Sequence, residues 1–387
     1  MSNNKDFKVK NGIKPTVYHE AVGTVVSGSE GYYLEGASYD SKSFSVASQE
    51  TTARGVNFKS DGTKMYVIGS VSDTVFQYSL STAWDVSTAS YDSVSFSVTA
   101  QDGAPMCITF KPDGTKFYIA GNNTSSVYQY TLSTAWDMST ASYDSISFSV
   151  STQGIYSREV IFNDDGTLMY VYSSNNETIF QYTLSTAWDI STASYASKSY
   201  AFGNTPESDP EGMAFNDTGT KFYMVGTGGD TVYQYTLSTA WDISTLSYDS
   251  VSFSVAGQDT TPYGVLFGNS GKKMYVTGSL TDTIYQYSTA QNTATLDLST
   301  GSVFEITPTS DITVSLSNPA ASGTVSGATL LLSASGTAYT ITYDTAIQWA
   351  GGTAPTSPAI GETDVVTFST RDGGTTYSAA LAIDGAQ

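Results

Sequence analysis

The chain has 387 residues, enough for two or three domains of ordinary size and for a core that needs no covalent staples. Only 13% of residues are charged, yet 36 acids face 16 bases, giving a formal net charge of −20, and such a surface repels nucleic acid and anionic lipid, whose binding depends on clustered Lys and Arg that this sequence does not have. One cysteine, Cys107, rules out an intramolecular disulfide framework, and one histidine, His19, removes most metal sites and most histidine-dependent catalysis.

The opening stretch, MSNNKDFKVKNGIKPTVYHEAVG, holds no apolar run of the signal-peptide kind, and no later segment approaches the roughly 18 consecutive apolar residues of a membrane span. A soluble protein made in a cytoplasm, with no membrane insertion, is expected. Residues 1–15 read as an N-terminal arm. Ser, Thr, Gly and Tyr abound, with 34 Gly and 28 Tyr, while strong helix formers are sparse, which predicts an all-β fold.

From residue 39 onward the chain repeats itself. Trp84, Trp136, Trp188 and Trp241 lie 52, 52 and 53 residues apart, each inside the string STAWD. Other columns carry a fifth copy: a turn glycine at Gly62, Gly114, Gly166, Gly219 and Gly271, and a Gln-Tyr pair beginning at Gln77, Gln129, Gln181, Gln234 and Gln286. One unit reads RGVNF, KSDGT, KMYVIG, DTVFQYSL, STAWDVSTAS and YDSVSFSV. Short runs alternating at period two between Asp, Gly, Ser and Asn turns predict four strands joined by tight hairpins. Antiparallel units of this length, repeated side by side, are the signature of a β-propeller, here with five blades spanning residues 39–288.

The outer-strand string YDSxSFSV opens at Tyr39, Tyr91, Tyr143 and Tyr248, with YASKSYAF at Tyr195, and none follows the fifth Gln-Tyr pair. The copy containing Tyr39, Phe44 and Val46 precedes the first inner strand and should close the ring by completing blade five. Residue 38 then comes close to residue 290, and no sheet edge stays open at the seam. The four STAWD strings fall between third and outer strands. A Trp-Asp pair there suits a packed corner or a sugar site. The recurrence of the whole LSTAWDxST frame favours the corner, with Trp84, Trp136, Trp188 and Trp241 packing and Asp85, Asp137, Asp189 and Asp242 satisfying backbone donors.

After Tyr287 the repeat stops. TATLDL, VFEIT, ITVSL, ATLLLSA, YTITY, VVTFST and TYSAALA alternate as seven strands, for which a β-sandwich of about 95 residues is the simplest fold. The segments LDLSTGSVFEITPTSDITVSLSNP, WAGGTAPTSP and GETDVVTFSTRDGGTTYSAAL resemble the small β-domain of tailed-phage virion proteins, particularly tail fibres. The opening KDFKVKNGIKPTVYHEAVGTVVSG is similar to the start of such proteins, and the repeats resemble propeller repeats of marine phage structural proteins. In that family VGTVVSG commonly runs straight into LDLSTG. The resemblance therefore implies a propeller inserted into the β-sandwich, with residues 16–27 forming one of its strands and the anchoring domain comprising 16–38 and 289–387. It further implies a homo-oligomer, most plausibly a trimer, located on the virion, with other virion proteins and a host surface glycan or receptor as partners.

Catalysis needs a base beside a nucleophile, paired carboxylates or an open metal site. The channel-facing inner positions read Gly55, Cys107, Glu159, Gly212, Gly264 and then Asn57, Thr109, Ile161, Ala214, Leu266, with no ring of acids, histidines or arginines. Glu159 reads as an isolated, solvated carboxylate, Cys107 as a small filler and His19 as structural or exposed. NDDGT at Asn163 to Thr167 lacks the spaced oxygen ligands of a calcium site. Phosphate loops, CxxC pairs and nucleophile elbows are missing. No catalytic, cofactor or metal-binding residue is assigned, and the expectation is a virion structural protein without enzymatic activity, such as a tail-fibre subunit displaying its propeller for host-surface contact. A lectin-like carbohydrate-binding propeller and a capsid decoration or head-fibre protein are the alternatives.

Overall fold

The structure, a computed structural model, describes residues 23, 25–203, 206–289, 291–308, 312–336 and 339–386. The arm at 1–15, His19 and most of the strand expected at 16–27 lie outside the described residues. Two compact units are present, one combining the described residues up to Ser29 with Asn292–Gln387, the other Glu30–Gln291.

The larger unit is a five-bladed propeller of four-stranded antiparallel sheets, as the repeat predicts. Blade 1 runs Ala53–Phe58, Lys64–Gly69, Thr74–Leu80 and Ala89–Ser97, and blade 2 runs Pro105–Phe110, Lys116–Gly121, Ser126–Leu132 and Ala141–Ser149. Blade 3 comprises Ser157–Phe162, Leu168–Ser173, Thr178–Leu184 and Ala193–Ala201; blade 4 comprises Pro210–Phe215, Lys221–Gly226, Thr231–Leu237 and Leu246–Ser254. Blade 5 takes Pro262–Gly268, Lys273–Gly278 and Thr283–Ser288 from the end of the repeat and Ser38–Ser45 from its beginning. Tyr39 pairs with Tyr287 and Phe44 with Ile284, and the Val46 amide continues the seam to the Asp282 carbonyl at 2.8 Å.

Burial follows position in the blade. The second strand KFYIAG is buried at every residue after its lysine, because both faces of the sheet pack on neighbouring blades, whereas the outer strand ASYDSISFS alternates between half-buried and exposed. Within each outer strand the YDS string is a bulge, with register slipping between Tyr143 and Ile146 and the serine in a left-handed conformation (Ser145, φ 61°).

Blades are tied by a repeated polar relay. In blade 2, Gln129 donates to Asp144 at 2.8 Å, Lys116 reaches the same carboxylate at 3.2 Å, and the Gln129 carbonyl oxygen accepts from the Ile190 amide of the next blade at 3.2 Å. Blade 3 departs from the frame twice at once: Leu168 replaces the lysine and Ala196 the aspartate. The two losses compensate, since keeping either charge alone would leave it unpaired.

The smaller unit has two sheets. One orders its strands Val25–Glu30, Gln291–Asp297, Ile312–Ser317, Ile341–Tyr343; the other orders Val303–Ile306, Ser326–Ser333, Thr363–Thr370, Tyr377–Ala386, Ile347–Trp349. From Gln291 to Tyr343 successive strands alternate between the sheets, so neighbours within a sheet run the same way and pair in parallel. Leu296, Phe304, Val314, Leu330, Val366 and Phe368 fill the space between. The three-residue strand Ile347–Trp349 is one that the seven expected runs omit, being too short to show alternation.

The expected boundary at 38 moves to 29, and the reason is local. Tyr32 and Leu34 are part of the ring, as the next section shows.

Candidate functional site: corners and channel

Each STAWD string forms a corner built on the hairpin of its own blade. Trp136 adopts φ 66°, donates its amide to the Gly114 carbonyl at 3.0 Å, and lays its ring across that turn. Gly114 has φ 74°, and a Cβ there would sit 2.2 Å from the Trp136 ring, so the turn needs glycine for both backbone and space. The ring stacks on Phe110 at 5.0 Å, while Tyr66 of the preceding blade donates to the Trp136 carbonyl at 2.6 Å. Trp84, Trp188 and Trp241 repeat the arrangement, accepting from Tyr275, Tyr118 and Tyr170. The aspartates cap the short 3-10 turns that follow: Asp137 accepts from the Ser139 amide at 3.0 Å, with Asp85, Asp189 and Asp242 in the same role. Asp85 and Asp242 also pair with Lys42 and Lys198 at 2.6 and 2.7 Å. Indole faces and carboxylates, the groups a sugar would use, are engaged within the fold.

The fifth corner is present without a tryptophan. Tyr32 takes φ 70°, donates its amide to Gly271 at 2.6 Å, rests on that glycine and on Phe267, and accepts from the Tyr223 hydroxyl at 2.7 Å. Leu34, 1% exposed, occupies the place that Val86 fills after Trp84. GYYLEG shares no residue pattern with STAWD, and sequence comparison passes over it for that reason.

The second candidate is the axial channel, which holds a cavity of about 160 Å³. Gly55, Cys107, Glu159 and Gly264 line it, with Asn57, Thr109, Ile161, Ala214 and Leu266. Asn57 donates to the Ile108 carbonyl at 3.3 Å and Thr109 to the Val160 carbonyl at 2.7 Å, so both tie adjacent inner strands. Glu159 differs from the solvated carboxylate expected. Half-buried, it lines the cavity beside Cys107 and accepts from the Val160 amide at 3.3 Å, and desolvation pushes its carboxyl up to about 8. Burial also drives the Cys107 thiol well above its ordinary range, with Glu159 adding to the effect; Cys107 is 2% exposed.

The expectation that the channel carries no charged layer is corrected by the inner-strand bulges. Register slips between Ala53 and Gly55, Pro105 and Cys107, Ser157 and Glu159, Pro210 and Gly212, and Pro262 and Gly264. The slipped residues, Arg54, Met106, Arg158, Glu211 and Tyr263, form a layer beyond the inner end of the cavity. Arg158 Nη1 contacts both Glu211 oxygens at 2.7 and 2.6 Å, and the Arg54 guanidinium lies 3.7 Å above the Tyr263 ring. Burial raises the Glu211 carboxyl, Arg158 and Arg54 pulling against it. Strict alternation counts these positions as pointing away from the axis, which is why the sequence reading omits them.

At the opposite mouth stand Asp164, Asn216 and Asp217 with Tyr32, Phe162, Phe215, Phe267 and Trp241. Tyr32 donates its hydroxyl to Asp217. Burial, then Asp217 and Asp165, raise the Asp164 carboxyl. In the NDDGT string Asn163 Oδ1 accepts from the Leu168 amide at 2.9 Å and Asp165 from the Thr167 amide at 2.9 Å, so these oxygens serve the turn and do not converge with Asp164. Among the described residues no group of three or more His, Cys, Asp or Glu is placed to hold a metal ion, and no helix is long and apolar enough to cross a membrane.

No known protein family and no curated protein matches the chain by sequence. Solved structures that it is similar to include the periplasmic gluconolactonase of Pseudomonas aeruginosa, at 14% identity and TM-score 0.39 over 60% of this chain and 65% of that one. A putative 6-phosphogluconolactonase of Bacteroides fragilis matches at 14% identity and TM-score 0.40, over 58% and 76%. A luciferin-regenerating enzyme matches at 13% and 0.40, over 63% and 94%. At such identities the likeness is one of fold and assigns this chain no activity. The expectation of a non-enzyme is nonetheless corrected, since proteins named as enzymes are among the matches to this fold.

Proposed function

We propose that the chain is a structural subunit of a tailed-phage particle, an appendage whose ring is presented to a host surface. The observation that supports this reading is the seam. The segment Ser38–Ser45 closes the ring against Thr283–Ser288, and the Tyr33 amide donates to the Thr289 carbonyl at 3.1 Å, so the chain enters and leaves the propeller at one place. A ring closed this way interrupts another domain without losing its own closure, and the terminal segments flanking it are those that resemble phage appendage proteins. Other virion proteins are its partners, and the assembled form is a trimer. Mass spectrometry of purified particles should find its peptides; particles free of them would sink the reading. Light scattering should give about three times the 41.1 kDa chain mass, and a monodisperse monomer would remove the trimer.

A carbohydrate-reading role is the second proposal, favoured by the aromatic walls and the Asp and Asn side chains around the channel mouth.

A further inference from the structure

We infer that the axial cavity, lined by all five blades, is a monosaccharide subsite, with Asp164, Asn216 and Asp217 of blades 3 and 4 at its mouth and Glu159 deeper in it. This rests on the carbohydrate reading above and gives it a place and a ligand class. The first support is where the repeat breaks its own frame. Asp164 and Asp217 stand where the other blades have Ser60, Pro112 and Asn269. Blades 1 and 2 hold a lysine at the start of the same turn, Lys59 and Lys111, each paired to its turn aspartate at 2.7 Å; blades 3 and 4 have Asn163 and Asn216 instead. Glu159, in the same blade as Asp164, stands where the other blades have Gly55, Cys107, Gly212 and Gly264. Leu168 and Ala196 depart together as a lost pair of the relay, whereas the departures at Asp164, Asn216, Asp217 and Glu159 gather around one cavity.

The second support is the chemistry of the cavity. Its walls include the apolar surfaces of Phe215 and Phe267, and the layer of Arg158, Glu211, Arg54 and Tyr263 lies beyond its inner end. Carboxylates at the mouth accept hydrogen bonds, whereas the half-buried Glu159 carboxyl, pushed up to about 8, favours the protonated form that donates one. A small organic cation would use the mouth carboxylates and the ring faces but not a protonated Glu159. A pyranose has hydroxyl donors, acceptors and an apolar face, and so uses mouth, Glu159 and walls together. A cavity of about 160 Å³ is of the size of one such ring, so a single sugar unit is the ligand tested.

The test uses the full chain in saturation-transfer NMR and calorimetry against the methyl glycosides of glucose, galactose, mannose, rhamnose and N-acetylglucosamine, with ethylammonium as the competing chemistry. At least one glycoside should bind, and Asp164→Ala, which removes an exposed carboxylate that caps no turn, should weaken it at least tenfold without moving the melting temperature. Glu159→Gln should weaken it as well, and Asp61→Ala, on the far side of the ring, should not. Silence across the panel, binding of ethylammonium alone, or glycoside binding unchanged by Asp164→Ala would each overturn the assignment. The particle reading keeps its separate test, since virion peptides are detected whether or not the cavity binds sugar.

Discussion

Trp136 holds a backbone conformation that bulky side chains avoid, at a cost of roughly 1–2 kcal/mol, and its ring contacts with Gly114, Phe110 and Tyr66 offset that cost. Trp136→Ala should therefore destabilise the propeller by about 3–5 kcal/mol, read from the denaturant midpoint. Tyr118→Phe tests the hydrogen bond apart from the packing: it leaves the Trp188 carbonyl without its donor and should cost about 1–2 kcal/mol with the fold intact. The tryptophans were legible in the sequence as corners because the frame around them repeats. Tyr32 was not, because its role comes from meeting Gly271 across the seam, about 240 residues along the chain.

At the scale of elements, the polar relay explains a double departure that looks like decay when read column by column. Leu168 and Ala196 replace a lysine and an aspartate that meet across three strands in blades 1, 2, 4 and 5. Restoring both, as Leu168→Lys with Ala196→Asp, should be more stable than the sum of the single variants by about 0.5–1 kcal/mol, and a double-mutant cycle in urea would measure it. Additive singles would show that the relay is not coupled in this blade. Strand alternation predicted every propeller strand, yet the one-residue bulges in the inner strands reassigned which side chains meet the axis. A bulge shifts everything before it to the other face, and period counting does not detect a single extra residue.

For the whole molecule, acidity acts in two directions. Lys59 and Thr63 hold the Asp61 carboxyl at about 2, below its unfolded value, so its contribution is present at neutral pH and is lost as pH falls towards 2. Glu159 is the reverse case: its folded value of about 8 lies above the ordinary 4.5, so the folded state binds the proton more tightly and stability is lost as pH rises from about 4.5 to 8. The melting temperature should accordingly fall between pH 5 and pH 8, and Glu159→Gln, neutral throughout, should lessen that fall while leaving the part that the raised Glu211 carboxyl supplies. An equal slope in the variant would mean that Glu159 ionises freely in the channel. A net charge of −20 adds self-repulsion over the same interval, and added salt screens that part but not the desolvated carboxyl.

Five repeats, four strands per blade, the seam strand and the all-β character were determined by the sequence alone, because they depend on turn residues, period-two alternation and covalent order, all of which are local. Tertiary structure alone decided that Tyr32 makes the fifth corner, that Arg54, Arg158 and Glu211 share a layer and that Glu159 faces the channel cavity. Those facts depend on contacts between blades that sequence distance does not encode, and on bulges that turn a side chain from one face of its sheet to the other.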